Sequence, residues 1–180
     1  MDGQWWQEHF GDVEPIGYQL RKSLPERWFR IHSLPDSKRY PETDEEWQIL
    51  LARHREVSEK LIPPGSKCCL LVPWGCNKYP CFSGLEFQPV PNLPLFQPDP
   101  EEEPEGPYLT ASITWSFQAF EAVVRKVAMW QSLATVVAME TATIYAPYDG
   151  GADFILPDTP LRHAAREKFR EYLSKLGSGL

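Results

Sequence analysis

Arg27-Trp28-Phe29-Arg30-Ile31-His32-Ser33-Leu34-Pro35-Asp36-Ser37-Lys38-Arg39-Tyr40 packs four cations, a histidine, two serines and three large aromatic residues into fourteen positions. Its first half reads as a β-strand, because aromatic and β-branched residues are interleaved with charged ones. Alternate side chains of a strand face opposite ways. Phe29, Ile31 and Ser33 therefore share the face expected to meet a core, and Trp28, Arg30 and His32 share the other. Leu34-Pro35-Asp36-Ser37 ends the strand, since proline fixes φ and Asp and Ser favour turns. A guanidinium fork, an ammonium and serine hydroxyls suit a phosphate or carboxylate. Arg30, Ser37, Lys38 and Arg39 are thus candidate anion-binding residues, with His32 beside them as a candidate acid or base. A plainer reading competes: arginines beside tryptophan stack on it or pair with acids.

Helical spacing flanks this strand on both sides. Pro15 to Leu24 carries Ile16, Leu20 and Leu24 at helical intervals, and Pro25 ends it. Downstream, Thr43 with Glu46 forms a capping-box pattern ahead of a stripe at Trp47, Leu50-Leu51, His54, Val57 and Leu61. His54 is expected to be a packed residue, and Arg53, Arg55 and Lys60 a solvated face. Cys68 to Trp74 reads as a buried strand. Thr110 to Trp115 is a strand candidate, with Ser116 as cap of a helix whose stripe runs from Phe117 to Trp130. Leu133 to Leu156 looks like a three-stranded antiparallel meander, closed by a Tyr148-Asp149-Gly150-Gly151 turn in which Asp and Gly readily reach positive φ. Thr159, with Pro160 behind it, is expected to cap a last helix whose stripe reaches Leu176 and whose stop is Gly177. No regular β-α-β alternation appears. The expected class is α+β, a mainly antiparallel sheet with about three to four helices packed against one face, in one domain over 1–180.

Two segments stand apart. Residues 1–14 read as an N-terminal arm in which Trp5, Trp6 and Phe10 could dock and a short helix could form. Residues 87–108 read as a Pro/Glu-rich surface loop, with the acidic run Asp99 to Glu105 at its centre. That run has little apolar surface to bury, and long loops of this kind are uncommon inside a domain.

Composition sets outer bounds. The 18 prolines are about twice the usual frequency, which implies long connections. A net charge of −7 argues against general nucleic-acid binding, because no overall positive field attracts phosphate. No apolar stretch approaches the length of a membrane span, and the first twelve residues lack the apolar run of a signal peptide. Cys68, Cys69, Cys76 and Cys81 include no C-x-x-C pair and have no histidine nearby, so neither a zinc site nor another metal site is expected. Reduced thiols in a cytoplasm are the natural reading.

Tyr148-Asp149-Gly150-Gly151-Ala152-Asp153 is the second constellation. Its two carboxylates could hold a metal or work as acid and base opposite Arg30 and His32. Turn chemistry alone also accounts for Asp149 and the glycines, and Asp153 could pair with Arg30 or Arg162 inside the sheet. No P-loop, dinucleotide fingerprint, nucleophile elbow or zincin motif is present, so no cofactor is called for.

Arg27-Trp28-x-Arg30-Ile31-His32-Ser33-Leu34-Pro35-x-Ser37-Lys38-Arg39-Tyr40 followed by Glu46-Trp47 resembles a motif of an uncharacterised bacterial protein family. Pro147-Tyr148-Asp149-Gly150-Gly151-Ala152-Asp153, Tyr172-Leu173-Ser174 and the closing Gly179-Leu180 resemble the C-terminal part of the same proteins. The resemblance leaves Gly75 to Pro107 unmatched. It implies a cytoplasmic bacterial or phage protein and supplies no catalytic residues.

Three readings stay open. The leading one is an interaction or ligand-binding domain, inhibitor and immunity proteins being one such type, with a protein partner or a small anionic ligand. The alternative is an enzyme acting on a phosphorylated or carboxylated small molecule. Arg30, Lys38 and Arg39 would then bind the anion, His32 would be acid or base, and Asp149 or Asp153 would orient it or hold a metal. In the third, the motif residues are locked in ion pairs as scaffolding.

Overall fold

The computed structural model describes residues 1–96 and 106–175. Its elements run α1 (Gly3–Phe10), α2 (Gly17–Ser23), β1 (Trp28–His32), α3 (Asp44–Leu61), β2 (Lys67–Pro73), β3 (Gln88–Pro89), β4 (Tyr108–Thr114), α4 (Phe117–Ala128), β5 (Thr135–Ala138), β6 (Thr143–Tyr148), β7 (Gly151–Ile155) and α5 (Thr159–Lys168). The strands form one sheet in the order β1-β7-β6-β5-β2-β4-β3. All of its pairings are antiparallel. The class is α+β as read from the sequence. The β5-β6-β7 meander is present, and β1 returns to pair with β7 at the sheet edge.

Strand alternation sorts the apolar residues onto two faces. Phe29, Ile31, Leu70, Val136, Tyr145 and Phe154 meet Leu50 and Val57 of α3, Phe120 and Val124 of α4 and Ala165 of α5. Trp28, Leu71, Val137, Ile144 and Ile155 meet Trp6 and Phe10 of α1 and Leu20 of α2. Helices therefore cover both faces, which corrects the one-faced expectation. The physical reason is visible in β2 and β6, whose apolar residues run almost without a break. That pattern marks strands buried on both sides.

The N-terminal arm is a docked helix. Asp2 caps it by accepting from the Trp5 amide at 2.9 Å. Trp6 is fully buried, and its indole N–H donates to the Val13 carbonyl at 2.8 Å. Elsewhere several ends differ from expectation. Thr43 caps α3 by accepting from the Glu46 amide, but the Glu46 carboxylate answers to the amide of Glu42. Ser116 occupies the cap position of α4 without a side-chain hydrogen bond. Asp158, one residue earlier than expected, caps α5, because its carboxylate reaches the Leu161 amide at 2.8 Å. Within 87–108, β3 pairs with β4 and Tyr108 opens β4. Pro89 is tolerated there because β3 is an edge strand. The run Asp99 to Glu105, Leu176 and Gly177 lie outside the described residues.

Arg53 is a further correction. It is half-buried and does not belong to a solvated face: its guanidinium donates to the His32 carbonyl at 3.0 Å and lies over Tyr172 at 4.7 Å. Arg162 of α5 does the same for the Trp28 carbonyl at 2.8 Å. Two outward carbonyls of edge strand β1 are thereby covered, which blocks pairing with another chain. Among the described residues no helix is long and apolar enough to cross a membrane.

Replacing Trp6 with alanine tests the docking of α1. Urea denaturation should show a loss of about 3–5 kcal/mol, the usual range for emptying a tryptophan site. An arm that is only loosely attached would leave the midpoint unchanged.

Candidate functional site

Arg30 and Asp153 are register partners across β1 and β7. The guanidinium grips the carboxylate through two bonds, Nε to Oδ1 at 2.8 Å and Nη2 to Oδ2 at 2.9 Å. The Trp28 indole N–H adds a third at 2.7 Å. Asp153 is buried, and Arg30 lies over Tyr148 at 4.4 Å and over Trp28 at 5.7 Å. Burial opposes the charge on Arg30, but the hydrogen bonds and negative charge of Asp153 outweigh it and raise its pKa. Gly17, at the start of α2, completes the packing. A Cβ there would stand 2.7 Å from Asp153 Oδ2, so only glycine lets the helix lie against the carboxylate. Burial pushes the Tyr148 phenol up, so it stays neutral.

The second aspartate is also held by an arginine, through fewer bonds. Asp149 is buried in the β6–β7 turn, pairs with Arg39 Nε at 2.8 Å and accepts a hydrogen bond from the Tyr40 hydroxyl at 2.8 Å. Neither Asp149 nor Gly150 takes the positive φ expected of that turn. Gly150 matters for space instead, since a Cβ would stand 3.1 Å from Tyr148 Cε2. The Arg39 side chain is 61% exposed, its guanidinium lies over the Tyr40 ring at 5.9 Å, and among the described residues its two terminal amino groups make no hydrogen bond or ion pair.

The remaining motif residues point elsewhere. The Lys38 ammonium bonds to Glu46 at 2.7 and 2.9 Å and to Glu42 at 2.9 Å, hydrogen bonds that raise its pKa. Ser37 is exposed, and both Asp36 and Ser37 have left-handed backbones, with φ 52° and 58°. The His32 ring is half-buried, and its Nε2 is enclosed without a hydrogen-bond partner among the described residues. Burial, then the charges of Arg30 and Arg53, lower its pKa, so it is neutral near pH 7.

Arg30, Arg39, Tyr148, Asp149 and Asp153 line one end of a cleft of about 820 Å³ on the α2 side of the sheet. Ser37, Lys38 and His32 are not among its lining residues. The other walls carry Tyr18, Trp74, Tyr79 and Trp130, which are 47%, 50%, 40% and 69% exposed. These aromatics were not anticipated. Trp74 was expected in a buried strand and Trp130 in the helix stripe. Trp74 instead falls one residue past β2, and Gly106 packs so closely that a Cβ there would collide with its ring.

Trp130 ends α4. Its amide donates to the Val127 carbonyl and the Gln131 amide to the Lys126 carbonyl, at 3.0 and 2.9 Å. This is the Schellman arrangement, whose left-handed position usually holds glycine. Trp130 sits there at φ 57°. For a bulky residue that backbone costs about 1–2 kcal/mol. A tryptophan where the helix stop calls for glycine is the one clue in the sequence to this wall. A smaller recess of about 470 Å³, lined by Glu56, Glu167, Glu171, Arg170, Tyr172 and their neighbours, contains no residue of the Arg27–Tyr40 or Tyr148–Asp153 stretches.

His54 lies behind the site in the opposite core. Its ring bridges the hydroxyls of Ser33 and Tyr145, both at 2.8 Å. Burial lowers its pKa to about 3. It is a neutral core bridge. Among the described residues no group of three or more His, Cys, Asp or Glu side chains is placed to hold a metal ion.

The fold and the cleft define an antiparallel α+β domain with arginine-bound aspartates at one end of an aromatic-walled groove. The chain belongs to the family described as a domain of unknown function (DUF3885), whose model matches residues 16–176. The match leaves α1 outside it. No curated protein and no solved structure matches the chain.

Two outcomes follow for the buried charges. Asp153→Leu should cost about 3–5 kcal/mol in urea denaturation, because it leaves Arg30 buried without its anion. The double variant Arg30→Met/Asp153→Leu should lose less than Asp153→Leu alone. For His54, the unfolded chain takes a proton near pH 6.5 and the folded chain only near 3. Its contribution is therefore complete above pH 6.5 and declines as pH falls from 6.5 toward 3. NMR should find the His54 ring shifts flat from pH 8 to 5, and a titration in that range would contradict the assignment.

Proposed function

We propose that this chain is a ligand-binding domain of a bacterial cytoplasm that captures an anionic molecule in the cleft. One observation carries the reading: Arg30 and Arg39 line the same cleft, each beside a mostly buried aspartate, Asp153 or Asp149, that also lines it. The carboxylates hold the guanidinium groups in place, and the terminal nitrogens of Arg39 remain available to an incoming phosphate or carboxylate. The volume is typical of small-molecule sites.

Catalysis by His32 receives less support. Among the described residues the ring has no carboxylate partner; it is neutral near pH 7 and lies outside the cleft lining. Asp149 and Asp153 are engaged by arginine, tryptophan and tyrosine donors, which leaves them poor acids or bases.

Calorimetric titration with pyrophosphate at low ionic strength tests the reading, because exposed charge is screened by salt. Saturable binding is expected, weakened about tenfold or more in Arg39→Ala, while Lys38→Ala binds as the parent does. Absence of binding, or an equal loss in both variants, would overturn it.

A further inference from the structure

We infer that the molecule taken by this cleft joins a flat ring system to an anionic group, the ring lying on Trp130 and Trp74 while the anion meets Arg39. The inference rests on the anion-binding reading above and adds the chemistry of the rest of the ligand.

The strained tryptophan is the first ground. Helix α4 stops at a position built for glycine, and this chain keeps an indole there. Packing does not account for it, since the ring is 69% exposed. A conformational cost retained for a side chain that the core does not use points to a use on the surface. The ring lines the cleft that holds the two arginines.

Trp74 is the second ground. Its amide donates to the Pro107 carbonyl at 3.0 Å, and Gly106 packs against its ring. The backbone is thereby fixed and half of the side chain left open. Tyr18 and Tyr79 extend the same surface. Among the described residues, four of the nine exposed large apolar side chains thus border the cleft that Arg39 also lines. Such faces stack flat rings favourably, and an arginine fork matches planar or tetrahedral anions. An aliphatic acid would use only half of these walls.

The test uses the full chain and five probes. AMP joins ring to phosphate, ribose 5-phosphate lacks the ring and adenosine lacks the phosphate. Indole-3-acetate and acetate form the carboxylate pair and separate the two anion sources. At least one joined molecule should bind ten times more tightly than its fragments. Trp130→Gly should unfold at higher temperature than the parent, yet bind the joined molecule about tenfold more weakly and ribose 5-phosphate unchanged. Trp130→Phe should retain most of the affinity. If ring-bearing and ringless anions bind alike, or if Trp130→Gly binds as the parent does, this inference fails and the anion-binding reading stands. If pyrophosphate does not bind in the titration above, the anion-binding reading fails and this inference with it.

Discussion

The carboxylate of Asp153 is buried between β1 and α2, and three hydrogen bonds converge on it from Trp28 and Arg30. A buried charge is tolerated only when fully paired. That requirement fixes the register of β1 against β7, the side of β1 that faces α2 and the glycine at position 17. The edge strand is set by one salt bridge as much as by apolar burial. Its outward carbonyls are then covered by Arg53 and Arg162 from α3 and α5.

The cleft is a consequence of the same arrangement. Arg30 is held flat over Tyr148, and the next turn brings Asp149 under Arg39. The two arginines and their two paired acids line the same groove. Away from this end, the walls are tryptophan and tyrosine. Charged and aromatic side chains therefore line one groove together.

The strand content and the pairing of the meander could be read from β-branched runs and turn residues. The Arg30 and Asp153 pairing was one of two partners open to Asp153, because alternation puts both residues on defined faces without giving the register. Docking of the N-terminal helix was only partly legible: Trp5, Trp6 and Phe10 announce burial, but no local signal says which sheet face receives them. Lys38 looked equivalent to Arg39, since the choice of Glu42 and Glu46 as its partners depends on how the 35–37 turn swings onto α3. Trp130 counted as a core residue by helical spacing, whereas α4 ends at Ala128 and spacing loses meaning beyond it. Arg53 seemed solvated because its acceptor is a carbonyl on a strand twenty-one residues away.

The central claim is that the cleft offers the Arg39 terminal nitrogens to an anion while Arg30 stays paired with Asp153 and Arg39 Nε with Asp149. A crystal soaked in sodium selenate would test it most directly, through an anomalous difference map. The account predicts a selenium peak within hydrogen-bond reach of the Arg39 terminal nitrogens, with Arg30 still bidentate on Asp153. Peaks confined to other surfaces, with the cleft empty at saturating selenate, would contradict it.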